Sequence, residues 1–120
     1  MDLDAATQAH TQWKVKLRMA ISQQQTLDLA TIKADNCCPL GQWLHGEAKG
    51  LYGRIPAYRD CVTRHAAFHS AAASVGEAIN QKRYAQAEKM LEPGTPYAAA
   101  TTAVASAILG LKKAAAGAPA

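Results

Sequence analysis

Apolar side chains recur every three or four residues along almost the whole chain, which is the spacing of an α-helix with one buried face. The composition points the same way, because 27 of the 120 residues are alanine, the best helix former and a poor strand former. Aromatic residues make up only 6% of the chain. The sequence therefore predicts an all-α protein and disfavours a β-sandwich or a β-barrel.

The apolar stripes divide the chain into three long helices and several short ones. The long helices are predicted from Leu3 over about 20 residues, over residues 56–80, and from Pro96 onward, where Thr95 can cap the first turn. Short helices are predicted at 27–34, at 39–44 and at 84–91, and the glycines at 46, 50 and 53 predict a loop.

Helices of these lengths with tight connections indicate an antiparallel four-helix-type bundle with short extra helices. A chain of 120 residues holds one such domain, which we place at residues 1–113, followed by a disordered alanine-rich tail at 114–120. Because the hydrophobic stripes are weak, we expect either a dimer interface or a bound metal ion to supplement the core.

Charge and apolar content exclude several classes of protein. The net charge of +4 is spread along the chain, so no nucleic-acid partner is expected. The first residues lack the apolar core of a signal peptide, and no stretch reaches the roughly 20 apolar residues of a membrane span. Three cysteines are too few, and an odd number, for an internal disulfide framework. We therefore expect a soluble, cytoplasmic protein.

Histidines on the apolar stripes are the most informative feature of the sequence. His10 lies on the stripe of the first helix, and His65 and His69 are four residues apart on the same face of the middle helix. Buried histidines cost free energy unless they are hydrogen-bonded or bound to a metal. Cys38 adds a thiol at a predicted helix start, where the helix N-terminus favours the thiolate. Three imidazoles and one thiolate suit zinc, and the zinc site would lie in the bundle core.

The residues alone leave other interpretations open. Copper would bind the same ligands at least as tightly. A bundle that binds haem or iron is one alternative, and a metal-free structural dimerisation module with hydrogen-bonded histidines is another. No carboxylate lies on the stripe near the histidines, which disfavours a di-iron site. No nucleophile–base pair, phosphate-binding glycine loop or pair of carboxylates on one face is apparent, so an enzyme is not expected.

Three linked motifs resemble those of a known family. Residues 38–47, CPLGQWLHGE, resemble the Cys-x-Leu-Gly-x-Trp-Leu-x-Gly signature of the chemoreceptor zinc-binding domain (CZB) family. Residues 10–13, HTQW, are similar to its His-x-x-Trp element, and residues 65–69, HAAFH, to its His-x-x-Phe-His element. With the similar tail pattern at 90–97, the resemblance extends over roughly residues 5–113.

The resemblance implies one zinc ion per chain, bound by His10, Cys38, His65 and His69. It also implies a regulatory domain that dimerises and is usually attached to chemoreceptors or diguanylate cyclases. Such a domain senses zinc or reactive chlorine oxidants, such as hypochlorous acid, through its metal-bound cysteine. We therefore expect a homodimer, with Cys38 as the redox switch and an unknown signalling partner of the chemotaxis or cyclic-di-GMP kind. No receptor or cyclase region is present, so the chain resembles a free-standing form.

Further residues near the motifs receive expected roles. Asp35 and Trp43 are candidates for supporting contacts around the metal, and His45, where the family often has an aromatic residue, is expected at the surface. Cys37 is interpreted either as a small, partly buried residue or as a thiol that resolves oxidised Cys38. Cys61 lies on the apolar stripe and is expected in the core.

Overall fold

The computed structural model describes residues 1–117, which fold into eight helices joined by short turns. In chain order these are α1 (Leu3–Thr11), α2 (Trp13–Gln23), α3 (Leu29–Lys33), α4 (Pro39–His45), α5 (Glu47–Tyr52), α6 (Pro56–Asn80), α7 (Tyr84–Met90) and α8 (Pro96–Gly117). The predicted all-α bundle with short extra helices is confirmed. Over the described range, no helix combines the length and the apolar character that a membrane span requires.

The two longest helices, α6 and α8, pack against each other in opposite directions. Phe68 in the middle of α6 contacts Tyr97 at the start of α8, with ring centroids 5.8 Å apart. Asp60, near the start of α6, borders the same groove as Ser106, which lies further along α8. The buried residues of α8 are Tyr97, Val104, Ala107, Ile108 and Leu111, and Ala100 on the same side is partly buried. This pair of helices forms the frame on which the remaining elements pack.

The first predicted helix is divided at Gln12 into two helices, α1 and α2. Asp2 caps α1 by accepting a hydrogen bond from the backbone N–H of Ala5, at 3.0 Å. Gln12 lies between the helices with φ −74° and ψ −12°, which is still close to helical geometry. The helical direction is therefore nearly kept across Gln12, and α2 ends where Gln24 takes a left-handed conformation with φ 53°. The predicted stripe from Leu3 to Ile21 accordingly stays on one side.

The loop predicted from the glycines at 46, 50 and 53 is wrong in its middle part. Gly46 does break the chain after α4, with φ −108° and ψ −109°, but Glu47–Tyr52 then form α5. Ala48 of this helix is fully buried in the core. Tertiary packing of that face outweighs the low helix propensity of Gly50, whose added Cβ would meet nothing within 4 Å.

The disordered tail predicted for 114–120 also needs correction where the structure describes it. Helix α8 continues through Gly117, so residues 114–117 are helical. Alanine is the best helix former, and these residues extend a helix that already exists, which costs no new nucleation. Residues 118–120 lie outside the described part of the chain.

Candidate metal centre

His10 is oriented by the helix that carries it. Its Nδ1 lies 2.7 Å from the backbone oxygen of Ala6, one turn earlier in α1. The ring also packs edge-on against Phe68, with centroids 5.2 Å apart. His10 is only 3% exposed, and its Nε2 faces the interior of the bundle.

The two histidines of α6 lie one turn apart and face the same point. Nδ1 of His69 lies 2.9 Å from the backbone oxygen of Ile32, a carbonyl in the last turn of α3 that has no partner within its own helix. His65 is fully buried, and its Nδ1 has no hydrogen-bond partner among the described residues. The Nδ1 atom of His69 is therefore oriented by a neighbouring helix, whereas the Nδ1 atom of His65 has no such contact.

Cys38 occupies the N-cap of α4, with Pro39 at the first helical position. Its Sγ accepts a hydrogen bond from the backbone N–H of Gly41 at 3.3 Å. A Cβ at position 41 would lie 1.9 Å from the backbone oxygen of Asp35, so only glycine lets the chain before the cysteine pass this close to α4. The glycine of the signature thus positions the thiol through the path of the backbone.

The four donors converge on one point inside the bundle. Nε2 of His65 lies 3.1 Å from Nε2 of His10 and 3.0 Å from Nε2 of His69. Sγ of Cys38 lies 3.2, 3.6 and 3.8 Å from the Nε2 atoms of His65, His69 and His10, respectively. Tetrahedral zinc with ordinary bond lengths separates two nitrogen ligands by roughly 3.3 Å, and a nitrogen from a sulfur by roughly 3.5 Å. Five of the six distances between the ligand atoms are therefore close to those of a tetrahedral zinc site, and all four atoms lie within 4.8 Å of one another.

The positions of the protons show why the cluster suits a cation. A backbone carbonyl only accepts hydrogen bonds, so Nδ1 of both His10 and His69 carries the proton. In the neutral rings Nε2 then presents a lone pair, and both lone pairs face Nε2 of His65. One proton on that atom can satisfy only one of them at a time. A metal ion can bind the lone pairs of all three Nε2 atoms and of the Cys38 sulfur at once. Because these four atoms surround the site, they leave no open face for a haem.

Burial shifts the ionisation of every member of the cluster. Desolvation lowers the pKa of His10 and of His69, and burial with the neighbouring His69 and His10 lowers the pKa of His65 to about 3. Burial also raises the pKa of the Cys38 thiol, against the opposing hydrogen bond from Gly41. The backbone N–H groups at the start of α4 favour the thiolate, as predicted, but burial of the sulfur outweighs them. A coordinating cation would supply the missing stabilisation.

The candidates for supporting roles have other partners. Asp35 Oδ2 lies 2.9 Å from Nε2 of His45, which is exposed as predicted. Burial raises the pKa of Asp35, but its bond to His45 and the neighbouring positive charge outweigh this, so the pKa lies below its usual value. Trp43 packs on Tyr52, with ring centroids 6.1 Å apart. Neither contact reaches the four donors, so a direct role for Asp35 or Trp43 there stays a prediction.

The remaining cysteines differ sharply from each other. Cys61 is fully buried in the core, as predicted, and burial raises its pKa to about 12. Cys37 is exposed, not partly buried, and its Sγ lies 3.7 Å from the side-chain oxygen of Asn36.

The backbone oxygens that orient two of the histidines were not identified from the sequence. Ala6 lies one turn before His10, so the contact between its oxygen and His10 could have been predicted from the spacing. The contact of His69 with Ile32 joins residues 37 positions apart and carries no local signal.

Comparison with known proteins agrees with the geometry. The family model described as "Chemoreceptor zinc-binding domain" matches residues 10–75, which include all four donors. No curated protein and no solved structure gives a significant match. The family is a regulatory zinc-binding one, and the matched region is more than half of the chain. The cofactor is zinc, and the four donors fit one ion per chain. The chain belongs to the chemoreceptor zinc-binding domain family.

Proposed function

We propose that this domain is a zinc-dependent redox sensor in which His10, Cys38, His65 and His69 bind one zinc ion. The observation that carries the proposal is the convergence of these four donors, from three separate segments, within 4.8 Å of one another. A site closed by four protein ligands has no open position for a substrate water, and this favours structure or regulation over catalysis.

Cys38 is the ligand through which the domain would respond to an oxidant. It is partly exposed, whereas the three histidines are 3% exposed or less. Hypochlorous acid is the expected oxidant: the Cys38 thiolate is oxidised by two electrons to sulfenic acid, and chloride is released with the electron pair. The oxygen and the proton of hypochlorous acid both remain on the sulfur. Sulfenic acid is a much poorer zinc ligand than thiolate.

Loss of this one ligand would have a local structural effect. The Sγ of Cys38 would release both the metal and the N–H of Gly41, so the first turn of α4 would lose its cap. Leu40 and Leu44 are buried in the core and would keep the rest of α4 in place. The three histidines would still hold the metal, so the domain would have two discrete states.

The same proposal includes the output of the sensor. The resemblance implies a cytoplasmic homodimer that passes the change at α4 to a chemotaxis or cyclic-di-GMP signalling protein. The four-ligand cluster supports the input side of this scheme, and a partner search that uses reduced and oxidised protein would test the output side.

The decisive experiment combines metal analysis with oxidation. We expect one zinc per chain by elemental analysis, and a change in the fluorescence of Trp13 and Trp43 after hypochlorous acid is added. Cys38→Ser should bind zinc more weakly and lose the fluorescence change, whereas Cys37→Ser, the adjacent control, should behave like the parent. If Cys38→Ser still rearranges with the oxidant, Cys38 is not the switch. A purified protein without zinc, whose melting is unchanged by a chelator, would overturn the site itself.

A further inference from the structure

A cavity of about 390 Å³ lies against the metal cluster, between α1 and the start of α4. Cys38 and His10 are among its lining residues, so it adjoins two of the four donors. Most of the remaining wall is apolar and comes from Ala5, Ala6, Ala9, Trp13, Pro39 and Leu40. A volume of this size is within the range of sites that hold small molecules.

The cavity is the side from which the sulfur can be reached. His65 and His69 are 0% and 2% exposed, so α6 closes the opposite side of the cluster. Cys38 keeps part of its surface exposed and lines the cavity. Ala5 and Ala9, four residues apart on the same face of α1, are exposed and line this cavity with small side chains.

The charged groups of the wall are the Met1 ammonium, the Asp2 carboxylate and the Lys16 ammonium, and all three residues are exposed, whereas Ala6, His10 and Leu40 of the same wall are buried. Asp2 accepts the capping hydrogen bond from Ala5, and the ammonium group of Lys16 lies 4.9 Å above the ring of Trp13. The part of the wall formed by the buried residues next to Cys38 is largely apolar and offers little to replace the hydration of an ion. A charged molecule that reaches the sulfur therefore loses more hydration free energy than an uncharged molecule of the same size.

We propose that this cavity admits uncharged small electrophiles to the Cys38 sulfur and discriminates against charged ones. The inference rests on the proposed function, in which that sulfur is the reactive zinc ligand, and adds the chemical class of molecule that reaches it. In the reaction the sulfur attacks the electrophilic atom of the incoming molecule. A new bond to sulfur forms, the bond to the leaving group breaks, and that group departs with its electron pair.

Methanethiosulfonates test the proposal because they come in matched neutral, anionic and cationic forms. The sulfur of Cys38 forms a disulfide with the thioalkyl sulfur, and methanesulfinate leaves with the bonding electrons. The parent for this experiment is zinc-loaded Cys37→Ser, which lacks the exposed competing thiol, while the buried Cys61 stays unreactive. Adduct formation is followed by intact-protein mass spectrometry, and each rate is divided by the rate of the same reagent with a free thiol.

The neutral hydroxyethyl reagent should react faster than the sulfonatoethyl and trimethylammonioethyl reagents by about tenfold or more after this correction. Ala9→Leu narrows the cavity in front of Cys38 and should slow the neutral reagent by about tenfold, and Ala5→Leu should act in the same direction. Gln8→Leu is the matched control, because it adds the same side chain to an exposed position of α1 outside the cavity, and it should leave the rate unchanged.

The proposal is overturned if the three reagents react at equal corrected rates, or if both alanine variants react as fast as the parent. Zinc content is measured on every sample, so the two hypotheses fail separately. Absence of zinc from the parent contradicts the proposed function. One zinc per chain with unchanged rates contradicts only the access route.

Discussion

Helix α6 is joined to the N-terminal part of the chain in two chemically different ways. Near its middle, His65 and His69 meet His10 and Cys38 in the metal cluster. At its end, the Asn80 side chain accepts a hydrogen bond from the backbone N–H of Leu27 at 2.8 Å. Its amide nitrogen donates a second hydrogen bond to the backbone oxygen of Leu27 at 2.9 Å. Both hydrogen bonds of the Asn80 amide are satisfied within the chain. In the cluster, by contrast, nitrogen and sulfur lone pairs face one another, an arrangement that suits a cation.

This difference indicates which part of the molecule can respond to a signal. The attachment at Asn80 does not depend on a metal or on an oxidation state. Under the proposed function, the attachment at the cluster depends on both, since zinc must be present and Cys38 must be reduced to bind it. A change in either condition should therefore loosen α1 and the start of α4, while the segment at Leu27 stays attached to α6.

Removal of zinc should have the largest effect. We expect a strong chelator to lower the free energy of unfolding by several kcal/mol, and the melting temperature by more than about 10 °C, because metal binding is coupled to folding. Hydrogen exchange should increase in α1 and at residues 36–41, with little change at Leu27. Equal loss of protection at Leu27 would show that the two attachments are not independent.

Gly41→Ala should have the next largest effect. Its Cβ would lie 1.9 Å from the backbone oxygen of Asp35, so either the segment before Cys38 or α4 must move. We expect a loss of about 3 kcal/mol or more and weaker zinc binding, measured by chemical denaturation and metal competition. Gly50→Ala is the matched control, since its Cβ meets nothing and alanine favours the helix by about 0.5–1 kcal/mol. A tolerated Gly41→Ala would contradict the proposed positioning of the cysteine.

Asn80→Ala should have a moderate effect that is independent of the metal. The substitution leaves the N–H and the oxygen of Leu27 without their partners, at a cost of about 1–3 kcal/mol. The same loss is expected in the zinc-loaded and zinc-free protein, and denaturation of both forms measures it. Gln81→Ala, at the exposed neighbouring position, should change little. A loss of stability that appears only in the zinc-loaded form would show that the two attachments are coupled.

His45→Gln should have the smallest effect. The pair with Asp35 is partly exposed, with side-chain exposures of 42% and 30%, so its loss should change stability by about 0–1 kcal/mol. Zinc content should stay at one per chain. A large fall in zinc affinity, measured by competition with a coloured chelator, would instead assign the pair a direct role in holding the segment of Cys38.

Much of the fold was predictable because its signals are local. The apolar period, Pro56 at the start of α6 and Thr95 before α8 all act within a few residues, and these helices begin where predicted. The loop predicted for the glycine-rich segment was wrong because α5 is stabilised by the burial of Ala48, which arises only when the bundle packs. The prediction of disorder from residue 114 was wrong because α8 continues through Gly117, and an existing helix is extended at little cost by alanines.

The sequence by itself determined the helical fold and the residue types of the site, because periodicity places His10, His65 and His69 on buried faces. Only the tertiary structure decided how these residues are used. It brings the oxygen of Ile32 to His69, makes a glycine obligatory beside the oxygen of Asp35, and leaves a cavity in front of Cys38. These features join residues far apart in the chain or depend on the shape between helices, and no local pattern encodes them.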